Sequence, residues 1–142
     1  MLVCGSCFEL GEPIIARNAQ HSLHYAENIL QDRFELAESA IAKEAYYSFW
    51  YAKNVLKGRF EAGEKIISTF ASYSYCYAKE IIQGRFPLGE PVIATGDKFS
   101  FYYARYVLKG RFPLGEPEIY KDKNSKRSYE EYMYYLKSLD SI

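Results

Sequence analysis

Three groups of side chains in this 142-residue chain have types and spacings that could do chemistry. Cys4-Gly5-Ser6-Cys7 has the C-x-x-C spacing used for zinc or for thiol redox work. Zinc wants four ligands, and the sequence offers no second such pair; His21 and His24, its only histidines, would have to complete the set. Thioredoxin-type chemistry wants the motif at a helix N-terminus beside a βαβ unit, which nothing here suggests. The two cysteines read better as ordinary thiols, with Cys behaving as a small hydrophobe. His21 and His24 share a helical face at i, i+3. No carboxylate is placed to orient them, so they read as surface or packing residues.

The third group is charged. Arg33, Arg59, Arg85 and Arg111 each precede a carboxylate by five residues, namely Glu38, Glu64, Glu90 and Glu116. Guanidinium and carboxylate groups run hydrolytic and phosphoryl chemistry. A pair repeated at fixed register in every unit cannot form one unique site, however, and reads as a ladder of bidentate bonds that fixes how units stack. No G-x-S-x-G, H-E-x-x-H, P-loop or G-x-G-x-x-G pattern occurs. The expectation is therefore a protein that is not an enzyme, with no catalytic residue, no metal site and no cofactor.

Those charged pairs belong to a repeat that organises the whole sequence. Phe8, Phe34, Phe60, Phe86 and Phe112 are spaced 26 residues apart without an insertion. Glu follows each Phe by four residues and Ile by seven. Gly11, Gly63, Gly89 and Gly115 sit one before the Glu, with Ala37 as the exception. Upstream, Tyr25-Ala26, Tyr51-Ala52, Tyr77-Ala78 and Tyr103-Ala104 precede aliphatic pairs such as Val107-Leu108.

In residues 97–109, Ser100, Tyr103, Ala104, Val107 and Leu108 recur at i, i+3, i+4, i+7 and i+8, the spacing of one face of an α-helix. Asp97 suits its N-cap. Gly110 suits a left-handed C-terminal position, as do Gly58 and Gly84, with Asp32 the weaker substitute. The downstream half reads as a shorter helix, about two turns in residues 34–43. Pro91 and Pro117 delay its start in the later units, each standing at the helix's own first position.

A 26-residue helical hairpin cannot enclose a core alone, so its apolar faces must be buried by stacking. The predicted fold is an all-α solenoid in a single domain, 1–142. Its units run over about 1–17, 18–43, 44–69, 70–95 and 96–121, with a cap at 122–142. Val3 and Cys4 align with Ile29 and Leu30 as the tail of a first helix. Tyr129, Met133 and Tyr134 align with Tyr103, Val107 and Leu108, on a charged capping helix at about 127–139.

The string Tyr103-Ala104 followed by Val107-Leu108-Lys109-Gly110-Arg111-Phe112-Pro113-Leu114-Gly115-Glu116-Pro117 resembles the short helical tandem repeats found in many bacteriophage and some bacterial proteins of unassigned function. The resemblance covers nearly the full chain. It implies a helical array of phage type and is unspecific for activity.

Composition narrows the function classes. Eighteen Lys plus Arg balance eighteen Asp plus Glu, so no overall field draws the chain to nucleic acid or an anionic membrane. No apolar run is long enough to span a bilayer, and the N-terminal residues do not read as a signal peptide. Cytoplasmic placement, in a host cell if phage-encoded, and reduced cysteines are expected.

The outlier is aromatic content, 18%, with fifteen Tyr and nine Phe. A second stripe on the first helices varies between units: His21, Tyr47, Tyr73, Phe99; then His24, Trp50, Cys76, Tyr102; then Asn28, Asn54, Glu80, Tyr106. Rings here either pack between units or face a partner, and Tyr and Trp dominate interface hot spots. Tyr47, Trp50, Tyr73, Tyr102 and Tyr106 are the candidate partner-binding residues. Phe34, Phe60, Phe86 and Phe112 join the Arg and Glu ladders as structural repeat positions. The expected function is protein binding, as a phage-encoded adaptor or an inhibitor of a host or defence protein, with a homodimer also open. One alternative is single-stranded nucleic-acid binding by base stacking, along Lys53, Lys57, Lys79, Arg105 and Lys109. The other is a small-molecule or nucleotide site.

Overall fold

The computed structural model describes the backbone of residues 5–142 and side chains from residue 9 onward. Every regular element among them is helical. In chain order they are α1 (Gly5–Ile15), α2 (Ala19–Tyr25), α3 (Glu38–Ile41), α4 (Ala45–Trp50), α5 (Glu61–Ile67), α6 (Ala71–Cys76), α7 (Glu90–Ile93), α8 (Asp97–Tyr102), α9 (Glu116–Ile119) and α10 (Lys123–Asp140). The chain divides into two compact units, Met1–Ile67 and Ser68–Ile142. Within each, long first helices alternate with short second helices in the sequence's own period, giving an all-α helical-repeat fold. No described helix is long and apolar enough to cross a membrane.

The first helices change winding half-way. Each continues from its α portion as π-helix: Ala26–Leu30, Tyr51–Leu56, Tyr77–Ile82 and Tyr103–Leu108. The wider turn ends on a left-handed residue, Gln31, Lys57, Gln83 or Lys109, with φ between 50° and 55°. The glycines expected there are not the left-handed residues: no glycine has positive φ among the described residues. Gly58, Gly84 and Gly110 come one position later. Their N–H groups donate to the carbonyls of Ala52, Ala78 and Ala104, each at 3.1 Å, and the same carbonyls receive the N–H of the left-handed residue. One fully buried Ala carbonyl thus closes both orphan donors, a cap one residue wider than the usual six-to-one bond.

Two other boundaries differ from expectation. The N-cap of α8 is Gly96, which leaves Asp97 inside the first turn, where its carboxylate accepts from Ser125 Oγ. The capping helix starts at Lys123, because Asp122 accepts from the N–H groups of Asn124 and Ser125 and so nucleates it early. The second helices differ in length: the proline-free α3 spans four residues after a 3-10 turn at Glu35–Ala37. The proline-free α5 spans seven residues from Glu61, whereas α7 and α9 begin at Glu90 and Glu116 with Pro91 and Pro117 in their first turn. At the N-terminal end α1 runs unbroken from Gly5 through Ile15 with Pro13 inside it, where later repeats turn. Val3, Cys4 and the Cys7 and Phe8 side chains lie outside what is described.

The core is one face repeated. Ser22, Ser48, Ser74 and Ser100, the Tyr-Ala pairs, Phe34, Phe60, Phe86, Phe112 and Ile41, Ile67, Ile93, Ile119 are buried almost completely. Ser48 Oγ donates to the Ile41 carbonyl at 2.9 Å and Ser100 Oγ to that of Ile93 at 3.0 Å. The hairpin presses so close to this serine that a Cβ on Gly89 would stand 2.7 Å from Ser74 Cβ and 2.5 Å from the Phe86 ring. Glycine in these hairpins answers to close approach rather than to dihedral angle; at the same register Ala37 is accommodated, fully buried, where the second helix opens with a 3-10 turn.

On α10 the positions equivalent to Ser100, Phe101, Ala104 and Leu108 are Lys126, Arg127, Glu130 and Tyr134. Three are charged, with Arg127 paired to Glu131 at 3.0 Å, and Tyr134 is 77% exposed. Such a surface cannot bury another repeat, as a terminal cap requires.

Candidate functional site

The repeated charges are built into the turns. Arg33 reaches Glu38 through Nε and Nη2 at 2.6 and 2.9 Å, and Arg59, Arg85 and Arg111 reach Glu64, Glu90 and Glu116 in the same two-pronged way at 2.8–2.9 Å. Each pair lies within one turn. A tyrosine joins the Arg33–Glu38, Arg85–Glu90 and Arg111–Glu116 pairs to the next first helix. Tyr51 donates to Glu38 Oε1 at 2.9 Å and accepts the Phe34 N–H at 2.8 Å. Tyr103 does the same with Glu90 and Phe86 at 2.8 and 2.9 Å, and Tyr129 with Glu116 and Phe112 at 2.7 and 3.1 Å. Within each compact unit these turns are thereby latched to the helix that follows.

The electrostatics follow the contacts. Arg85 holds the Glu90 carboxyl below the usual carboxylate range, and Arg111 does so for Glu116. Burial raises the Tyr51 and Tyr103 hydroxyls, and pushes Tyr129 up to about 12. The tyrosine column was missed as a polar element in the sequence. Its signal was there: Tyr25, Tyr51, Tyr77, Tyr103 and Tyr129 never lapse to Phe, which marks the hydroxyl as needed.

The stripe of candidate partner-binding residues lies beside this core, on both compact units. In the first, Tyr47 and Trp50 are half-buried. Tyr46 stands edge-on to Tyr47 at 5.1 Å, and the Lys53 ammonium sits 5.0 Å from the Trp50 ring. In the second, Tyr73 is half-buried against Phe70. Tyr102 touches Tyr75, Phe99 and Tyr106, and Tyr106 is 44% exposed with Lys79 and Arg105 at 5.1 and 5.3 Å. Tyr102 and Tyr106 are thus brought together. The residues that fully bury are the adjacent column, Leu23, Phe49, Tyr75 and Phe101, and this relieves the stripe of part of the inter-repeat role.

No family model, curated protein or solved structure matches the chain. Its function is therefore argued from its own surface.

Tyr46, Phe70, Tyr120, Tyr132 and Tyr135 are exposed or half-exposed rings that escaped the sequence reading. Tyr132 extends the column of Tyr106 by one more period into the cap, so the repeat itself would have found it. His21 and His24 are both exposed; His24 Nδ1 sits 3.1 Å from the Asn28 amide. No cluster of three metal-ligating side chains exists among the described residues. Of the cations considered for a phosphate track, Lys57 and Lys109 are left-handed cap residues, while Lys53, Lys79 and Arg105 lie over rings.

Proposed function

We propose that this chain is a protein-binding helical-repeat module. The observation that carries this reading is the stripe of half-exposed rings beside the latched core, with Tyr106 open to solvent and cations on Trp50 and Tyr106. Rings held by neighbours present large contact area with little conformational freedom left to lose. The resemblance to phage repeats adds the narrower proposal of a phage-encoded adaptor, or an inhibitor of a host or defence protein, acting in the host cytoplasm.

Cations 5.0–5.1 Å from the Trp50 and Tyr106 ring centroids compete with base stacking on those rings, which favours a protein over single-stranded nucleic acid. The test is affinity capture from host lysate with the chain and with Trp50→Ala/Tyr102→Ala. The double variant loses the partner that the parent retains while its helical circular dichroism is unchanged. Equal capture by both proteins, or retention of the parent on an oligonucleotide column with a steep salt dependence, contradicts the reading.

A further inference from the structure

Within the second unit an open groove of about 760 Å³ runs along α10. Its walls are Tyr106, Tyr132, Tyr135 and Leu139, and Tyr106, Tyr135 and Leu139 are 44%, 55% and 48% exposed. These are large apolar side chains left in water along roughly two turns of helix. Arg105 and Lys109 also line the groove.

Arg105 differs from the five arginines that are paired within their own turn or helix. Arg33, Arg59, Arg85, Arg111 and Arg127 each hold a carboxylate. The Arg105 guanidinium has no acceptor among the described residues. It lies instead among three rings, 5.3 Å from Tyr106, 5.8 Å from Tyr132 and 6.0 Å from Phe101. The rings orient it and leave its N–H fork unspent. Glu131, the carboxylate lining this groove, is engaged by Arg127 at 3.0 Å, and Lys109 pairs with no carboxylate among the described residues. The groove is therefore apolar along its length, with two uncompensated positive charges.

From this geometry we propose that the groove seats an acidic amphipathic segment of a partner protein, its apolar side chains between Tyr106 and Leu139 and one carboxylate bidentate on Arg105. This rests on the protein-binding reading above and names the chemistry of what is bound. A helix laid into an apolar groove uses anchors one turn apart, and the length available suits two of them. A carboxylate on a planar fork fixes the register that apolar contact alone leaves loose.

The experiment is panning of a displayed random library of peptides of about sixteen residues, roughly four helical turns, on the full chain. Enriched peptides are then titrated against the parent, Arg105→Ala, Arg105→Lys and Leu139→Ala, each checked for an unchanged melting temperature. The expected result is enrichment of Asp or Glu within a turn of Leu, Phe or Trp. Arg105→Ala weakens binding by roughly tenfold or more, the loss of one charge-assisted pair, and Arg105→Lys recovers part of it. Recovery of no peptide, peptides without acidic residues, or Arg105→Ala binding within about twofold of the parent overturns the proposal. Capture that depends on Trp50 and Tyr102 but not on Arg105 would leave the protein-binding reading standing and remove this one.

Discussion

The hydroxyl of Tyr103 donates to Glu90 Oε1 at 2.8 Å, and its own oxygen accepts the Phe86 N–H at 2.9 Å. Three groups, from α7, the turn before it and the helix that follows, thus satisfy one another. Tyr103→Phe keeps the ring, strands the Phe86 N–H and leaves Glu90 Oε1 to Arg85 alone. The expected loss is about 1–3 kcal/mol of stability, read as a lowered thermal midpoint. Tyr134→Phe, at a hydroxyl 77% exposed with its ring, leaves the midpoint where it was.

The same latch sets the pH range. Glu90 and Glu116 titrate below their ordinary value of 4.5, so the stability they contribute is present above that pH and is lost as pH falls through the lowered folded values. Tyr129 is raised from 10.0 to about 12. Its contribution is complete below pH 10 and disappears as pH rises toward 12. Circular dichroism followed against pH should show a plateau between these limits. Tyrosinate absorbance from the latched rings should rise together with unfolding.

Backbone conformation gives a prediction that separates two adjacent residues. Lys109 is left-handed at φ 51°, whereas Gly110 is not. Lys109→Gly relieves a strain of about 1 kcal/mol and raises the melting temperature. Gly110→Ala is tolerated, since its Cβ would meet nothing nearer than the Leu108 carbonyl at 3.7 Å.

These residues also show how far the sequence can be read. The 26-residue period, the core face through Ser100, Tyr103 and Ala104, and the Arg111–Glu116 register follow from spacing alone. The π turn does not. It conserves the apolar stripe while moving the reversal from Gly110 to Lys109, and nothing in a residue count distinguishes i−4 from i−5 bonding. The early start of α10 was hidden because the charged flank outweighed Asp122 as a cap. For the candidate site, rings could be placed on one stripe, but not ranked by exposure. Whether Tyr106 or Tyr75 is covered depends on which neighbour leans toward it.

Close approach at the serine face yields a second mutational contrast. Gly115→Ala would set a Cβ 2.6 Å from Ser100 Cβ and from the Phe112 ring. The hairpin must shift, at a cost of about 1–3 kcal/mol. Gly96→Ala meets no atom within 4 Å and costs much less. Denaturant midpoints of the two variants measure the difference.

The claim that Tyr103 and Tyr129 latch the preceding turns to their helices is tested most directly by amide hydrogen exchange at Phe86 and Phe112. Both amides lie outside any helix and donate to a tyrosine hydroxyl, while the neighbouring Arg85 and Arg111 amides have no acceptor among the described residues. The account predicts that Phe86 and Phe112 exchange as slowly as core helical amides, and that Tyr103→Phe releases Phe86 selectively. Exchange of Phe86 and Phe112 as fast as Arg85 and Arg111 in the unmodified chain would contradict it.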